Sequence, residues 1–530
     1  MGSKWCKMRF LRVTYSILIV FIFLACTFFS DINYACKISF DNPILFIYGL
    51  IVLLTLLGLS KIISFFLDKY KLNQCMIVVI PVLFFIFQVY AVSVYYFYTN
   101  WDVKAIITIS DDIARNPGLF GYGYLSKYPN NSLLAWFFSI FYRLVYALHG
   151  GSETAYQLIL LVQCALNSLT GFLLVLIVKR LFNKHYLCIF GYILYIIIIG
   201  ISPWVSIPYS DSMGLFFPVL ILYILQNKTI EPALKLNKDN IRKWFWICVL
   251  VYLGYCIKPQ IILCWLAYIY VKWRFSFSDR VRKNAKSVLI TILCIATGFL
   301  YSAVMVHLIT GNLYQSEKSF GVAHYLMMGM NTKSGGVFNW PDVIFSESFG
   351  TNEERRKADL AVVNSRIKSM GALGIIKHFY RKTLTNFNDG TFWWGGEGDF
   401  YNVLRNTDNK GFFSYYLRNI YYNGKIKGIY NDRWSGFVQS IWLSILCFSC
   451  FAAFPQKAQK ADETQLIVIS TIMGLFVFLS LFEARARYLY VYSPYFIITS
   501  LFGVHIILNF MKDSIHNFNL TTGLKQPFEG

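Results

Sequence analysis

Apolar runs recur along almost the whole chain, at about residues 10–29, 44–67, 76–98, 132–148, 155–178, 186–204, 208–226, 244–257, 259–272, 287–310, 435–454, 464–482 and 487–510. Most are long enough to cross roughly 30 Å of hydrocarbon, where backbone polar groups must be satisfied within the segment. A length of 530 residues would suggest several soluble domains, but with 56% apolar and only 14% charged residues that reading fails. The sequence predicts an all-α polytopic membrane protein. Its net charge of +22 comes without a basic, aromatic-interleaved soluble module, so it points to cytoplasmic loops and lipid phosphate and not to nucleic acid.

Charge sets the topology. Counting all thirteen runs as spans puts Lys179, Arg180 and Lys184 outside and inverts every later basic loop. The weakest run, 132–148, carries Arg143 and ends at His149-Gly150-Gly151, so it is expected to be an amphipathic helix on the outer surface. About twelve spans with both termini cytoplasmic then place 25 of the 49 Lys and Arg on the inner side. Residues 244–257 and 259–272 read as two short helices meeting at an external Lys258-Pro259 turn. The N-terminus, with Lys4, Lys7, Arg9 and Arg12 before an apolar stretch, reads as a retained signal anchor.

Four regions follow: a two-span N-terminal addition (1–75), a transmembrane core (76–310) with external juxtamembrane helices at 99–150, an extracytoplasmic cap (311–434), and C-terminal spans with a tail (435–530). The cap is expected to be mostly α, with a helix near 352–385 carrying Arg355, Arg356 and Lys357 on a polar face. The 12 Cys lie mostly in apolar runs and none is in the cap, so they read as small hydrophobes and not as a disulfide framework or metal site.

Acidic residues just outside a span are expensive there unless they face water, a partner or a substrate. Asn100-Trp101-Asp102 leaves the third span, Asp111 and Asp112 follow on a short helix ended by Asn116-Pro117-Gly118, and Tyr128-Pro129-Asn130-Asn131 opens the surface helix. On the predicted topology Asp211, Lys258, Glu483, Arg485, Arg487 and Tyr488 share that side. Cations there suit a lipid-linked phosphate, and a carboxylate suits deprotonation of an incoming hydroxyl. Structural uses stand beside these: Asp102 and Asp211 as helix caps, Asp111 and Asp112 as a solvated face, Arg485 and Arg487 as snorkelling cations, and Lys258-Pro259 as a plain turn. Asp389-Gly390, Glu397 and Asp399 read mainly as turn residues, and His307 and His324 as structural. No His/Cys cluster has metal-ligand spacing, and no nucleotide-binding or hydrolase motif is present.

In order and sidedness this set resembles the GT-C superfamily of integral-membrane glycosyltransferases, which includes protein O-mannosyltransferases, aminoarabinose transferases and bacterial cell-envelope relatives. Trp101-Asp102, the stretch 103–116, Tyr128-Pro129-Asn130-Asn131, the helix 132–148, Asp211, and Arg487-Tyr488 with Pro494 match in sequence over about 76–510. Two departures stand out. Val103 replaces a frequent second acid, and the turn lacks a Pro-Pro form, so the chain looks like the Gram-positive envelope branch.

The resemblance implies inverting transfer from a polyprenyl-phosphate-sugar donor to a cell-envelope acceptor such as teichoic acid or another glycan. It implies Asp102 as general base, with Asp111, Asp112, Tyr128, Asn130, Asn131 and Asp211 binding acceptor or sugar hydroxyls. Lys258, Arg485, Arg487 and Tyr488 would bind the lipid phosphate. No cofactor is required, and the acidic cluster is compatible with a divalent cation, Mg or Mn. Membrane lipids are the other partners and nucleic acid is not one. The competing readings are an envelope polysaccharide polymerase or ligase using lipid-diphosphate oligosaccharide, and a lipid-linked-sugar transporter. A transporter would need mid-span charges and repeat symmetry, which the sequence does not show.

Overall fold

The computed structural model describes residues 2–29, 41–99, 101–118, 120–226, 238–272, 285–397, 403–404, 411–423, 427–456 and 458–522. Asn100, Asp399 and the basic stretches 227–237 and 273–284 lie outside the described residues. Among the described residues the regular structure is helical apart from one antiparallel pair of two-residue strands, Phe97–Tyr98 with Val403–Leu404. Among the described residues seven helices are long and apolar enough to cross a membrane, beginning with Met8–Phe28, Asn42–Lys69 and Cys75–Tyr95. Three further apolar helices are shorter: His185–Gly200, Ser210–Leu225 and Pro259–Lys272. Each of the twelve expected spans coincides with a helix. The helices Lys238–Ile257 and Asn431–Ser449 begin with charged residues, which lowers their apolar length.

The run at 132–148 forms the helix Ser132–Ala147, packed against Asp102–Arg115 and Ser152–Phe182. It is not among the helices long and apolar enough to span. Lys258 stands between the helix Lys238–Ile257 and a 3-10 turn, Pro259–Ile261, as the proline predicts.

Buried polar contacts fix the N-terminal helices on the bundle. Arg12 donates to Asp462 at 2.6 Å, to Gln465 at 2.6 Å and to the Ala453 carbonyl at 2.8 Å. Gly49 lets the second helix approach the helix Asn431–Ser449 so closely that a Cβ would stand 2.0 Å from the Ser440 carbonyl oxygen. Gly49→Val is therefore expected to cost about 1–3 kcal/mol by overpacking. A lowered melting temperature of the detergent-purified protein would show it, with Gly58→Ala, which meets open space, as the neutral control.

The described residues of 311–434 are mostly helical, and part of the segment packs into the bundle. Small apolar clusters around Phe320, Met328 and Val343 and around Met327, Met330 and Val363 lie outside the main core, whereas Leu384, Phe387, Phe392, Trp394, Leu417 and Tyr421 belong to it. The segment returns into the bundle because those side chains are apolar and need burial. The helix Asn352–Phe387 opens with a capping box, Thr351 with Glu354, and is kinked at Gly371, whose φ is +59°. Arg355 departs from the expected polar face: it is buried and donates to the carbonyls of Ser346, Glu317, Ser319 and Phe349. Those carbonyls lie in the last turn of a helix, in a 3-10 turn and in loops, and a guanidinium has enough donors to satisfy several at once. His324 is also buried, bonded to Ser346, which in turn donates to Asp359 at 2.8 Å. Burial pushes the His324 imidazole down to about 4.

Candidate active site

Irregular backbone meets at one end of the bundle, where Cys75–Tyr95 ends, Asp102–Arg115 begins, and the segments 196–210, 258–261 and 482–492 converge. Such backbone is tolerated at membrane depth only where protein satisfies it. The helix from His185 passes into a π-helical stretch, Ile196–Gly200, and then a 3-10 turn, Pro203–Ser206. Gln163 donates to the carbonyls of Trp204, Val205 and Ile207 at 3.2, 2.6 and 2.9 Å. Gln88 donates to the Gly200 carbonyl at 2.6 Å. These amides stand in for the missing ladder and hold Trp204 and Tyr209 in place.

Asp211 is fully buried. One carboxylate oxygen pairs with the Lys258 ammonium and the other lies 3.2 Å from Arg487 Nε. Burying one carboxylate with two cations leaves the triad one unit positive, a strong anion field where water is scarce. Aromatic rings surround it. Arg487 lies 4.3 Å from the Trp101 ring centroid and 5.2 Å from that of Tyr209, and Lys258 Nζ lies 4.4 Å from that of Tyr488. Burial pulls the Lys258 ammonium down to about 8, with Asp211 opposing that shift.

Asp102 is half-buried in the first turn of its helix and accepts a hydrogen bond from Tyr209 at 3.1 Å. Trp101 stacks edge-on against Tyr209 at 5.0 Å, joining Asp102 to the cation triad. Burial first, and the Asp102 carboxylate second, hold the phenols of Tyr209, Tyr124 and Tyr128 above their usual range. Asp102 is thus ringed by hydroxyls that stay protonated. Asn131 donates to the Tyr124 hydroxyl at 2.9 Å, and Asn130 to Asn131 at 3.3 Å.

A third group lies beside these. Glu483 is 3.8 Å from Arg485, and Arg485 lies 5.5 Å from the Trp393 ring centroid. Phe392 and Trp393 have φ of +55° and +69°, conformations that cost bulky residues about 1–3 kcal/mol each and persist only under external restraint. Lys382 donates to the carbonyls of Gly329 and Phe482 at 2.9 and 2.5 Å, fastening the segment ahead of Glu483.

The structure brings together Asp102, Tyr128, Asn130, Asn131, Asp211, Lys258, Arg485, Arg487 and Tyr488. It does not bring Asp111 or Asp112 to them. Asp111 is nine residues along the helix, roughly 13 Å from Asp102. It is held by Arg115 at 2.8 Å and accepts from the Tyr146 hydroxyl at 2.5 Å, a surface clamp between two helices. Asp112 lies on the same distant turn, beside Tyr122. Asp211 meets cations in place of the expected sugar hydroxyls, because burial leaves its oxygens no route to a ligand. Sequence reasoning missed Trp101, Trp204, Tyr209 and Tyr124 as the aromatic frame. Among the described residues no group of three or more His, Cys, Asp or Glu lies placed to hold a metal ion.

The chain matches a family model over residues 6–505, described as a conserved hypothetical integral membrane protein. No curated protein matches it. The archaeal oligosaccharyltransferase AglB from Archaeoglobus fulgidus, solved in complex with an inhibitory peptide and a dolichol-phosphate, superposes with a TM-score of 0.43 at 13% identity. The match covers 88% of this chain and 53% of that one, so this chain spans about half of that protein's length.

Proposed function

We propose that this chain, which belongs to the family of conserved hypothetical integral membrane proteins, is a glycosyltransferase that takes a sugar from a polyprenyl-phosphate donor to an extracytoplasmic envelope glycan. One observation carries the reading: a half-buried carboxylate, Asp102, lies beside a buried, net-positive Asp211–Lys258–Arg487 triad at one end of an apolar bundle. The order of motifs that resembles the GT-C superfamily supports it.

In the proposed reaction an acceptor hydroxyl attacks the anomeric carbon and Asp102 takes its proton. The bond from that carbon to the phosphate oxygen breaks, and its electron pair stays with the lipid phosphate, whose charge grows by one unit. Lys258 and Arg487 stabilise that growing charge, and the surrounding rings keep water from screening it. Asp211 holds the two cations in place. Tyr209 and Tyr124 orient Asp102, while Tyr128, Asn130 and Asn131 offer hydrogen bonds to an acceptor.

Deleting the gene and analysing the cell-envelope sugars tests the reading. One sugar is expected to disappear from an envelope glycan and its polyprenyl-phosphate donor to accumulate; an unchanged envelope and lipid pool would count against it.

A pH dependence follows from Lys258. Its ordinary value is 10.5, and burial lowers it to about 8. The folded protein therefore releases this proton before the unfolded chain does, so stability rises from about pH 8 to 10.5 while the site loses a cation. Affinity of the purified protein for polyprenyl phosphate is expected to fall across about pH 8, and Lys258→Arg is expected to flatten that fall because a guanidinium stays charged.

A further inference from the structure

The loop from Asp389 to Trp394 carries more restraint than a connection needs. The Asp389 carboxylate accepts from the Thr391 amide at 2.8 Å, the Thr391 hydroxyl at 2.6 Å and the Trp393 amide at 2.7 Å. Gly390 donates to Gln439 at 2.8 Å, and Trp204 donates to the Thr391 carbonyl at 3.1 Å. Phe392 is packed into the core against Trp442 and Tyr490.

The next residue is treated differently. Two successive aromatic residues at positive φ turn Trp393 away from that core, so it remains half-buried with Arg485 beside it. Its indole lies against Gly396, where a Cβ would stand 2.3 Å from Trp393 Nε1. An apolar ring would gain more by burial with its neighbours. Strain spent on presenting it marks a binding surface.

The loop is also tied to the N-terminal helices. Asn42, fully buried at the start of the second helix, donates to the Cys26 carbonyl at 2.8 Å and to Asn388 at 3.0 Å. Gln439 donates to the same Asn388 oxygen at 3.1 Å while accepting from Gly390. One network of amides thus connects the first two helices to the backbone that aims Trp393.

We propose that this loop is a carbohydrate subsite in which Trp393 stacks on the apolar face of a pyranose ring, Glu483 and Arg485 meet its hydroxyls, and Asn42 positions the loop. The proposal rests on the glycosyltransferase reading and adds where the donor's sugar lies. Arg485 is two residues from Arg487, so their Cα atoms stand at most about 7 Å apart and the loop lies next to the cations proposed to hold the phosphate. Asn42 is a positioning residue, and through it the N-terminal two-helix addition acquires a use in binding.

The test compares binding of bare polyprenyl phosphate with that of polyprenyl-phosphate mannose, glucose and N-acetylglucosamine to purified protein. Wild type is expected to bind at least one sugar-bearing lipid about tenfold more tightly than the bare lipid, and Trp393→Ala to remove that preference while changing bare-lipid affinity less than about twofold. Trp393→Phe, which keeps an aromatic packing group, is expected to lose part of it, and Gly396→Ala most of it by displacing the indole. Asn42→Ala is expected to reduce the preference about threefold with bare-lipid affinity unchanged, which simple destabilisation would not do.

If Trp393→Ala weakens the bare lipid equally, the ring contacts the isoprenoid and the subsite is wrong. A wild type that binds all four lipids alike overturns it too. If wild type binds no polyprenyl phosphate, the functional reading fails. Methyl pyranosides then still decide the subsite: fluorescence quenching that is absent in Trp393→Phe supports it, and no quenching in wild type refutes it.

Discussion

Asp102→Asn is expected to lower the transfer rate about 10²–10⁴-fold, the contribution of a positioned general base. The amide is nearly isosteric, and its oxygen still accepts from the Tyr209 hydroxyl, which lies 3.1 Å from the native carboxylate. Folding, expression and donor affinity should therefore persist while the acceptor proton has no destination. The loss should fall on kcat with KM for the donor nearly unchanged, as for an interaction made in the transition state. Full activity in this variant with normal expression would remove Asp102 from the base role. A reduced melting temperature together with reduced donor binding would make it a structural cap instead.

Arg487→Met is expected to cost at least about 100-fold in affinity for polyprenyl phosphate, or about 2.7 kcal/mol. Two effects combine. The phosphate loses a cation held in a dry aromatic frame, where Arg487 lies 4.3 Å from the Trp101 ring centroid. Asp211 keeps only Lys258, and a buried carboxylate stripped of a partner is strongly destabilising. Arg487→Lys separates the two effects. It restores charge near Asp211 but not the planar fork, so stability should recover more than phosphate affinity. Calorimetry and lipid binding on the three proteins measure both. Equal lipid affinity in all three would take the phosphate away from this arginine.

The charged members of the site were legible because charge at the end of an apolar run is costly and therefore informative. Sorting Lys and Arg by side led to one face on which Asp102, Asp211, Lys258, Arg485 and Arg487 meet, and it demoted the helix Ser132–Ala147 from the spans. What stayed hidden depended on partners distant in sequence. Asp111 looks like Asp102 until Tyr146, 35 residues later, is seen to occupy it. Arg355 looks like a surface residue until the carbonyls around it are in place. Trp101, Tyr209 and Trp393 are three among 13 Trp and 37 Tyr in a chain where aromatic residues fill core and interface alike. Only backbone geometry sets Trp393 apart, and positive φ at a bulky residue leaves no mark in composition or periodicity. The burial of 384–394 stayed hidden for a related reason, since its apolar residues could not be assigned to the bundle before its packing was known.

In the proposed reaction the triad and Asp102 serve a lipid monophosphate donor. The most direct measurement supplies purified protein in liposomes with a polyprenyl-monophosphate sugar or, separately, a polyprenyl-diphosphate oligosaccharide, together with envelope glycan from the deletion strain. Sugar transfer from the monophosphate donor, with one polyprenyl phosphate released per sugar, is expected, and both should be lost with Asp102→Asn. Transfer from the diphosphate oligosaccharide alone, or monophosphate transfer that survives Asp102→Asn, would contradict it.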